Sequence, residues 1–500
     1  MKKYLILCSG LLIFSSCQDY LDVRPESQIE KEVLFSTEYG FFEALNGVYV
    51  RSTEGDIYGN ELTFGSLDVL AQNYSMTNGS NTLAETYAET ADFNYLNNSF
   101  VTRKNNIWIG LYNAIGNCNL ILENIDEKES VFTNALYAPL IKGEAKALRA
   151  YLHFDLLRLF APSFRNNPAS PAIPYVINYS TEITPQSTVS EVLDLIIAEL
   201  LEARTLLESD PILTDSYVVG YTYNNDFDGL PDDGSNEEQG NDLFMQNRRH
   251  RMNYYAVCAE LARVYLYKND QENALKYALE VIESGKFPWT DKNDFTADDD
   301  ELKDRILYKE LIFGWYIPAR ENDLRNRFEN IATSTAIVSA EGNIIYETGG
   351  VGADDFRFKE WMKQESDGIT TKLLFMKYKR DGNSNLHSLI APALRLSEMY
   401  YIAAECSFDT NPEIAWTYFN TVRFNRGIGT EINNEADYEF FISELIKEAR
   451  KEFYGEGQIF YMYKRLNRDI LAHSGGTIAA SNRVFVWPMP DDEIVFGNRD

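Results

Sequence analysis

Between Tyr438 and Phe453 the apolar side chains fall at Phe441, Ile442, Leu445, Ile446, Ala449 and Phe453, with Glu444, Lys447, Glu448 and Lys451 opposite. This i, i+3, i+4, i+7 stripe predicts an amphipathic helix. Asn434 is its expected N-cap and Gly455 its stop. A second helix is predicted over 189–207, opened by a Thr188-x-x-Glu191 capping box. The same period predicts helices over about 104–125, 136–160, 252–268, 271–284, 392–407 and 412–425, the last with Asn411 as cap and Pro412 in its first position. Short β-like runs are confined to "LIFGWYI", "KLLFMKY" and "RVFVWPM". The chain therefore reads as mainly α with a few short strands.

Two helix pairs share a spacing. Ala262, Tyr265, Ala274, Ala278 and Val281 in one, and Ala403, Cys406, Ala415, Phe419 and Val422 in the other, occupy the small and bulky positions of a tetratricopeptide-like hairpin. Ordinary helix-hairpin packing gives the same spacing, since no full consensus set accompanies it. The expected scaffold covers about 104–209, 251–285 and 392–456. The stretches 52–103, 210–250 and 285–391 are rich in Asn, Asp, Gly and Tyr and weakly periodic. They are expected to be loop-rich excursions carrying the ligand site, because long loops on a rigid frame are where binding usually resides.

The first residues address location. Lys2 and Lys3, an apolar run from Tyr4 to Phe14 and small Ser15 and Ser16 have the layout of a secretory signal. The run is shorter than the roughly 20 apolar residues a membrane span needs. "IFSSC" resembles the lipobox of a bacterial lipoprotein, which makes residues 1–16 the signal peptide and Cys17 the acylated first residue of a single mature domain, 17–500.

Composition fits a folded, exported chain of 500 residues, 45% hydrophobic and 24% charged. With 76 acidic against 46 basic residues the formal charge is -30, so nucleic acid and anionic membrane surfaces are poor partners. Cys118, Cys258 and Cys406 sit in helical patterns without CxxC spacing and read as small buried thiols. Aromatics make up 13% of the chain; most are expected in the core, the rest stacking on a ligand.

"GEAKALRAYLHFDLLRLF" (143–160), "LRLSEMYYIAAECSF" (394–408), "YFNTVRFNRGI" (418–428), "LIKEARKEFYGEGQIFYMYKRLNRD" (445–469) and "WPMPDDEI" (487–494) occur in the order seen in one family. They resemble the SusD/RagB proteins of Bacteroidetes. The resemblance implies a tetratricopeptide-like helical superhelix with irregular insertions. It also implies an outer-membrane lipoprotein, exposed at the cell surface, that binds a nutrient, usually a glycan, and delivers it to a SusC-like TonB-dependent transporter. One departure is Ile459 before Phe460, where the family often has Trp or Tyr. The motif residues themselves read structurally: Glu448, Lys451 and Glu452 as charge pairs on a helix face, Gly455 and Gly457 as helix breakers.

Catalysis finds little support. The four His lie outside any HExxH arrangement, GxSxG and P-loop patterns are missing from the chain, and His153 inside a helix reads as structural. A surface glycoside hydrolase remains an alternative, since it needs only two carboxylates, as does a tetratricopeptide-type peptide-binding scaffold. A calcium loop is suggested by "NNDFDGLPDDGSNEE", with Asn224, Asp226, Asp228 and Gly229 in EF-hand order. Its twelfth position is Ser235 instead of Glu, so Asp226 and Asp228 read more simply as surface acids. For the ligand, aromatic faces beside amide or guanidinium donors are the expected chemistry. The candidates are Asn73 and Tyr74, whose neighbourhood is polar, Trp289, and Trp315, Tyr316 and Arg320. Burial is the competing fate of Trp315 and Tyr316, which end an alternating run.

Overall fold

The 3.6-residue stripes are realised as a row of helices, each packed on the next. A computed structural model describes residues 31–76, 82–221, 234–329, 336–366, 368, 371–380, 386–433, 437–472, 475–497 and 499. The row runs α1 (Glu38–Thr53), α2 (Asn98–Ile125), α3 (Tyr137–Phe160), α4 (Val189–Leu206), α5 (Tyr254–Tyr267), α6 (Gln271–Glu283), α7 (Leu396–Ser407) and α8 (Pro412–Phe424), with contacts between every successive pair. α9 (Tyr438–Glu452) packs on α7, and α10 (Gln458–Leu466) on α9. The two hairpins with matched spacing, α5/α6 and α7/α8, stack through α6 and α7. Ala262, Ala274, Ala278, Ala403 and Ala415 are fully buried where the helices approach, as small residues at such positions must be. The fold is thus mainly α and tetratricopeptide-like, with long excursions inserted between consecutive members of the row.

The strands form four separate antiparallel pairs: β1 (Pro171–Pro174) with β2 (Gln186–Thr188), β3 (Leu311–Tyr316) with β6 (Ile390–Arg395), β4 (Met362–Ser366) with β5 (Thr371–Phe375), and β7 (Ile470–Leu471) with β8 (Thr477–Ile478). Several expectations need correction. The helix expected from residue 392 begins at Leu396, because 390–395 is a strand buried on both faces and so shows no alternation. "RVFVWPM" is not a strand: Asn482–Phe485 is a short helix, and Trp487 then plugs the core against Phe100 and Phe160. α9 is capped by Asp437, whose side chain accepts from the Phe440 N–H at 3.0 Å; Asn434 lies outside the described residues. The signal segment, Cys17 and the calcium-like loop at 224–229 also lie outside them. Among the described residues no group of three or more His, Cys, Asp or Glu could hold a metal ion, and no helix is long and apolar enough to cross a membrane.

The quoted motifs meet in the interior. Glu452, fully buried at the end of α9, bridges Arg426 (2.7 Å), Arg395 (2.6 Å) and Arg357 (3.0 Å). Arg426 also reaches Glu310 at 2.6 Å, and Glu448 pairs with Arg357 at 2.9 Å and Lys451 at 2.8 Å. Burial pushes the Glu452 carboxyl up, but the Arg426, Arg395 and Arg357 charges outweigh this and hold it well below the usual carboxylate range. The charges expected on a helix face are therefore a buried network that ties α9 to β6 and to the segment after α8. The 3.6 period places them on one face; which way that face points is decided by partners far along the chain.

Candidate functional site

Outside this interior, one groove combines an exposed aromatic face with polar groups. Its floor is the outer face of α1, where Asn46, Tyr49, Val50 and Thr53 recur at helical spacing. One wall is the segment 243–251 and the other the turn 316–320, enclosing about 640 Å³.

Each wall is held by chemistry that the sequence does not announce. Asp242 caps the 3₁₀ turn Leu243–Met245 through the Phe244 N–H at 3.1 Å and accepts the Tyr137 hydroxyl at 2.8 Å. The Gln246 amide donates to the carbonyls of Glu238 and Gly240, both at 2.8 Å. Below them Arg248 grips Asp210 through two bonds, at 3.0 and 2.8 Å, and Glu144 at 2.8 Å. Glu144, from the "GEAKALRAYLHF" motif on α3, also takes Arg251 at 2.9 Å and the Tyr49 hydroxyl at 2.7 Å. Burial pushes the Glu144 carboxyl up, and the Arg251 and Arg248 charges more than reverse this, so it stays ionised and clamps wall to floor. Arg251 lies between the Tyr49 and Phe244 rings, 5.3 and 4.6 Å from their centroids, and donates to Asn46 at 3.2 Å.

The opposite wall starts at the end of β3. Strand alternation sends Trp315 inward and Tyr316 outward. Trp315 is 1% exposed and stacks on Tyr58 at 4.3 Å, whereas Tyr316 is 50% exposed and lies parallel to the His250 ring at 6.0 Å. His250 is pushed down to about 3 by burial and by the neighbouring Arg249 charge, so the groove presents a neutral imidazole whose Nε2 bonds the Tyr308 hydroxyl at 2.9 Å. Arg320 donates to the carbonyls of Gly55 and Thr53, closing the C-terminal end of α1.

Of the expected site residues, the structure brings Tyr316 and Arg320 together on this groove, with Trp315 as a buried backing layer behind Tyr49. The surface placement of Asn73 and Tyr74 is corrected. Asn73 is 0% exposed, donating to Asp68 at 2.7 Å and accepting from Arg450 at 2.9 Å, and Tyr74 is 1% exposed beside Tyr454 and Phe375. The polar neighbour Gln72 is likewise buried, its amide donating to the Ala91 carbonyl at 2.8 Å. Trp289 is half-buried against Tyr400, with Arg426 over its ring, and takes no part in the groove. Sequence reasoning misses Asn46, Leu243, Gln246 and His250, which come from segments some 200 residues apart and carry no local signal. A second cleft of about 680 Å³ beside α9 has Tyr463 as its sole ring, and that ring is buried. The carboxylate that lines this groove, Glu54, is paired with Arg51 at 3.3 Å.

Comparison with known proteins agrees with this architecture. A family profile described as "Starch-binding associating with outer membrane" matches residues 19–217, and the profile of the SusD family matches residues 210–483, more than half of the chain. The chain is 24% identical to SusD-like protein P25 of Formosa agariphila, over 91% of this chain and 88% of that protein. It is 28% identical to SusD-like protein P38 of the same organism over 41% of this chain and 38% of that one. Among solved structures, a SusD superfamily protein from Bacteroides thetaiotaomicron superposes with a TM-score of 0.71 at 21% identity, covering 92% of this chain and 98% of that one. A SusD-like carbohydrate binding protein from Bacteroides vulgatus superposes with a TM-score of 0.69 at 18% identity, covering 93% and 97%.

Proposed function

The chain belongs to the SusD family, and on that premise we propose that it is a non-catalytic, glycan-binding lipoprotein of the outer membrane. It holds its ligand in the α1 groove and passes it to a SusC-like TonB-dependent transporter. Residues 17–500 act as one unit in this reading, anchored through acylated Cys17 and facing outward. The observation that carries it is Tyr316. A tyrosine ring half open to water, held parallel to a neutral imidazole and ringed by the amides of Asn46, Gln246 and Asn247, is suited to stack on the apolar face of a sugar while amides meet its hydroxyls. The family profile described as starch-binding and the solved relative titled a carbohydrate binding protein support the same ligand class.

The test is native affinity electrophoresis through gels containing starch, pullulan, laminarin, xylan or alginate. Retardation of the wild-type protein by at least one polysaccharide, weakened by Tyr316→Ala, is the expected result. Free migration in every gel, or unchanged retardation of the variant, overturns the assignment. Isolation of a large outer-membrane β-barrel with the tagged protein tests the transporter partnership.

A further inference from the structure

The groove does not end at Leu243. Beyond it a second hollow of about 530 Å³ continues along α1, lined by Glu38, Tyr39 and Phe42 on the helix and by Tyr137, Asn241 and Phe244 across from it. Asn46, Leu243 and Arg251 line both hollows, so the two are halves of one trough. The α1 residues on its floor, from Glu38 through Phe42, Asn46 and Tyr49 to Thr53, follow one face of a 16-residue helix about 24 Å long.

Three apolar faces are spaced along this trough. Tyr316 stands near one end. Leu243 rises in the middle, 79% exposed, held outward by the Asp242-capped turn on which it sits. Tyr39 stands near the other end, 69% exposed, its ring perpendicular to that of Phe42 at 6.0 Å. Phe42 is itself stacked on Phe244 at 4.6 Å and edge-on to Tyr137 at 5.1 Å, so the Tyr39 platform rests on a buttressed cluster. Asn46, Asn241 and Gln246 supply amides between the platforms.

Resting on the glycan reading above, we propose that this trough takes the interior of an extended oligosaccharide, with Tyr316 and Tyr39 stacking on separate sugar units and the chain passing over Leu243. A site for a monosaccharide or a chain end needs one platform and a closing wall. Here the second platform lies further along the same helix face, and the residues between the two hollows are common to both. The substrate class is therefore a linear chain several units long.

The experiment is isothermal titration calorimetry with size-defined α-1,4-glucan, β-1,3-glucan and β-1,4-xylan oligomers of two to seven units, against wild-type protein, Tyr39→Ala and Tyr316→Ala. Both tyrosines are at least half exposed, and near-ultraviolet circular dichroism confirms that each variant is folded. For the series that binds, affinity is expected to rise with length before levelling off. Tyr39→Ala should weaken the longest oligomer by about fivefold, the worth of one aromatic contact, while leaving the dimer unchanged; Tyr316→Ala should weaken both. Affinity independent of length, or Tyr39→Ala indistinguishable from wild type on the longest oligomer, overturns the extended-chain proposal and leaves the glycan reading standing. Failure of every series, together with the polysaccharides above, to bind wild-type protein overturns both.

Discussion

Asp68 accepts the backbone N–H of Gly455 at 2.8 Å with one carboxylate oxygen and that of Gly457 at 2.8 Å with the other. Gly455 and Gly457 have φ of 75° and 71°, and a Cβ on them would fall 2.6 Å from the Phe375 ring and 2.7 Å from the Leu62 carbonyl. The Gly-Glu-Gly step is therefore a left-handed turn pressed onto the core and tied by one carboxylate from a distant segment. Asp68→Ala orphans both N–H groups and is expected to cost about 3 kcal/mol of stability in urea titrations. Burial pushes the Asp68 carboxyl up to about 6, against the pull of Asn73, Gly455 and Gly457. Its folded pKa thus lies above the unfolded value of about 3.9, so the linked stability is fully present below that value and lost as pH rises through about 6.

Glu452 carries the larger burden. Three arginines converge on it inside the protein, and removing it leaves like charges facing one another without water. Glu452→Ala is expected to destabilise by about 3–5 kcal/mol, read from denaturation midpoints. In the fraction that folds, retardation by polysaccharide should be unchanged, because none of the four residues lines the groove. Lost binding in a well-folded Glu452→Ala protein would contradict the structural role assigned to the motif.

How much of this was legible in the sequence follows from what is local. α4, α6, α8 and α9 each show an apolar stripe with caps in the chain itself, and the Thr188–Glu191 box is formed as its spacing demands. α1 and α10 are not marked this way. α10 is an aromatic-rich run whose register is set by Gly457, and α1 is read only once α2 is seen against it. The groove is less legible still. Its polarity comes from Asn46, Gln246 and His250, brought together by Glu144, Arg248 and Arg251 across a hundred residues or more. The misplacement of Asn73 and Tyr74 has the same cause: polarity along the chain stands for exposure only where the polar groups lack partners elsewhere.

His153 gives a pH prediction of opposite sign to Asp68. Its Nδ1–H donates to the Arg149 carbonyl at 2.9 Å and its Nε2 accepts the Val176 N–H at 3.0 Å, so the folded protein requires the neutral ring. Burial lowers it to about 3, while the unfolded chain binds a proton near 6.5. Stability linked to this group is complete above about pH 6.5 and falls as pH drops toward 3. Between pH 7 and 5 the loss is about 2 kcal/mol. His153→Gln should be less stable than wild type at pH 7, and the gap should narrow by that amount at pH 5; a constant gap would show that His153 is not held neutral.

Cys17→Ser addresses location independently of ligand. If Cys17 carries the anchor, the wild-type protein sediments with outer membranes and incorporates labelled palmitate. The variant should do neither, since the thioether-linked chains, each contributing about 0.8 kcal/mol per buried CH₂, are gone. An unlabelled wild-type protein would return Cys17 to an ordinary cleaved leader.

Trp315 and Tyr316 are neighbours on β3 with opposite fates, and the contrast separates binding from folding. Trp315 is packed among Tyr58, Tyr151 and Phe313, so Trp315→Ala opens a cavity and is expected to cost about 3–5 kcal/mol in stability. Tyr316 is half exposed, and Tyr316→Ala removes little buried surface, so its melting temperature should stay close to wild type. Binding should respond the other way round. Tyr316→Ala loses a stacking face worth about 1 kcal/mol and weakens glycan affinity several-fold, whereas Tyr316→Phe keeps the ring and most of the affinity. Trp315 reaches the groove only through Tyr49, so any effect of its loss on affinity should track the loss of fold. A Trp315→Ala protein that melts normally but no longer binds would place the ligand behind the strand, where the structure leaves no room for it.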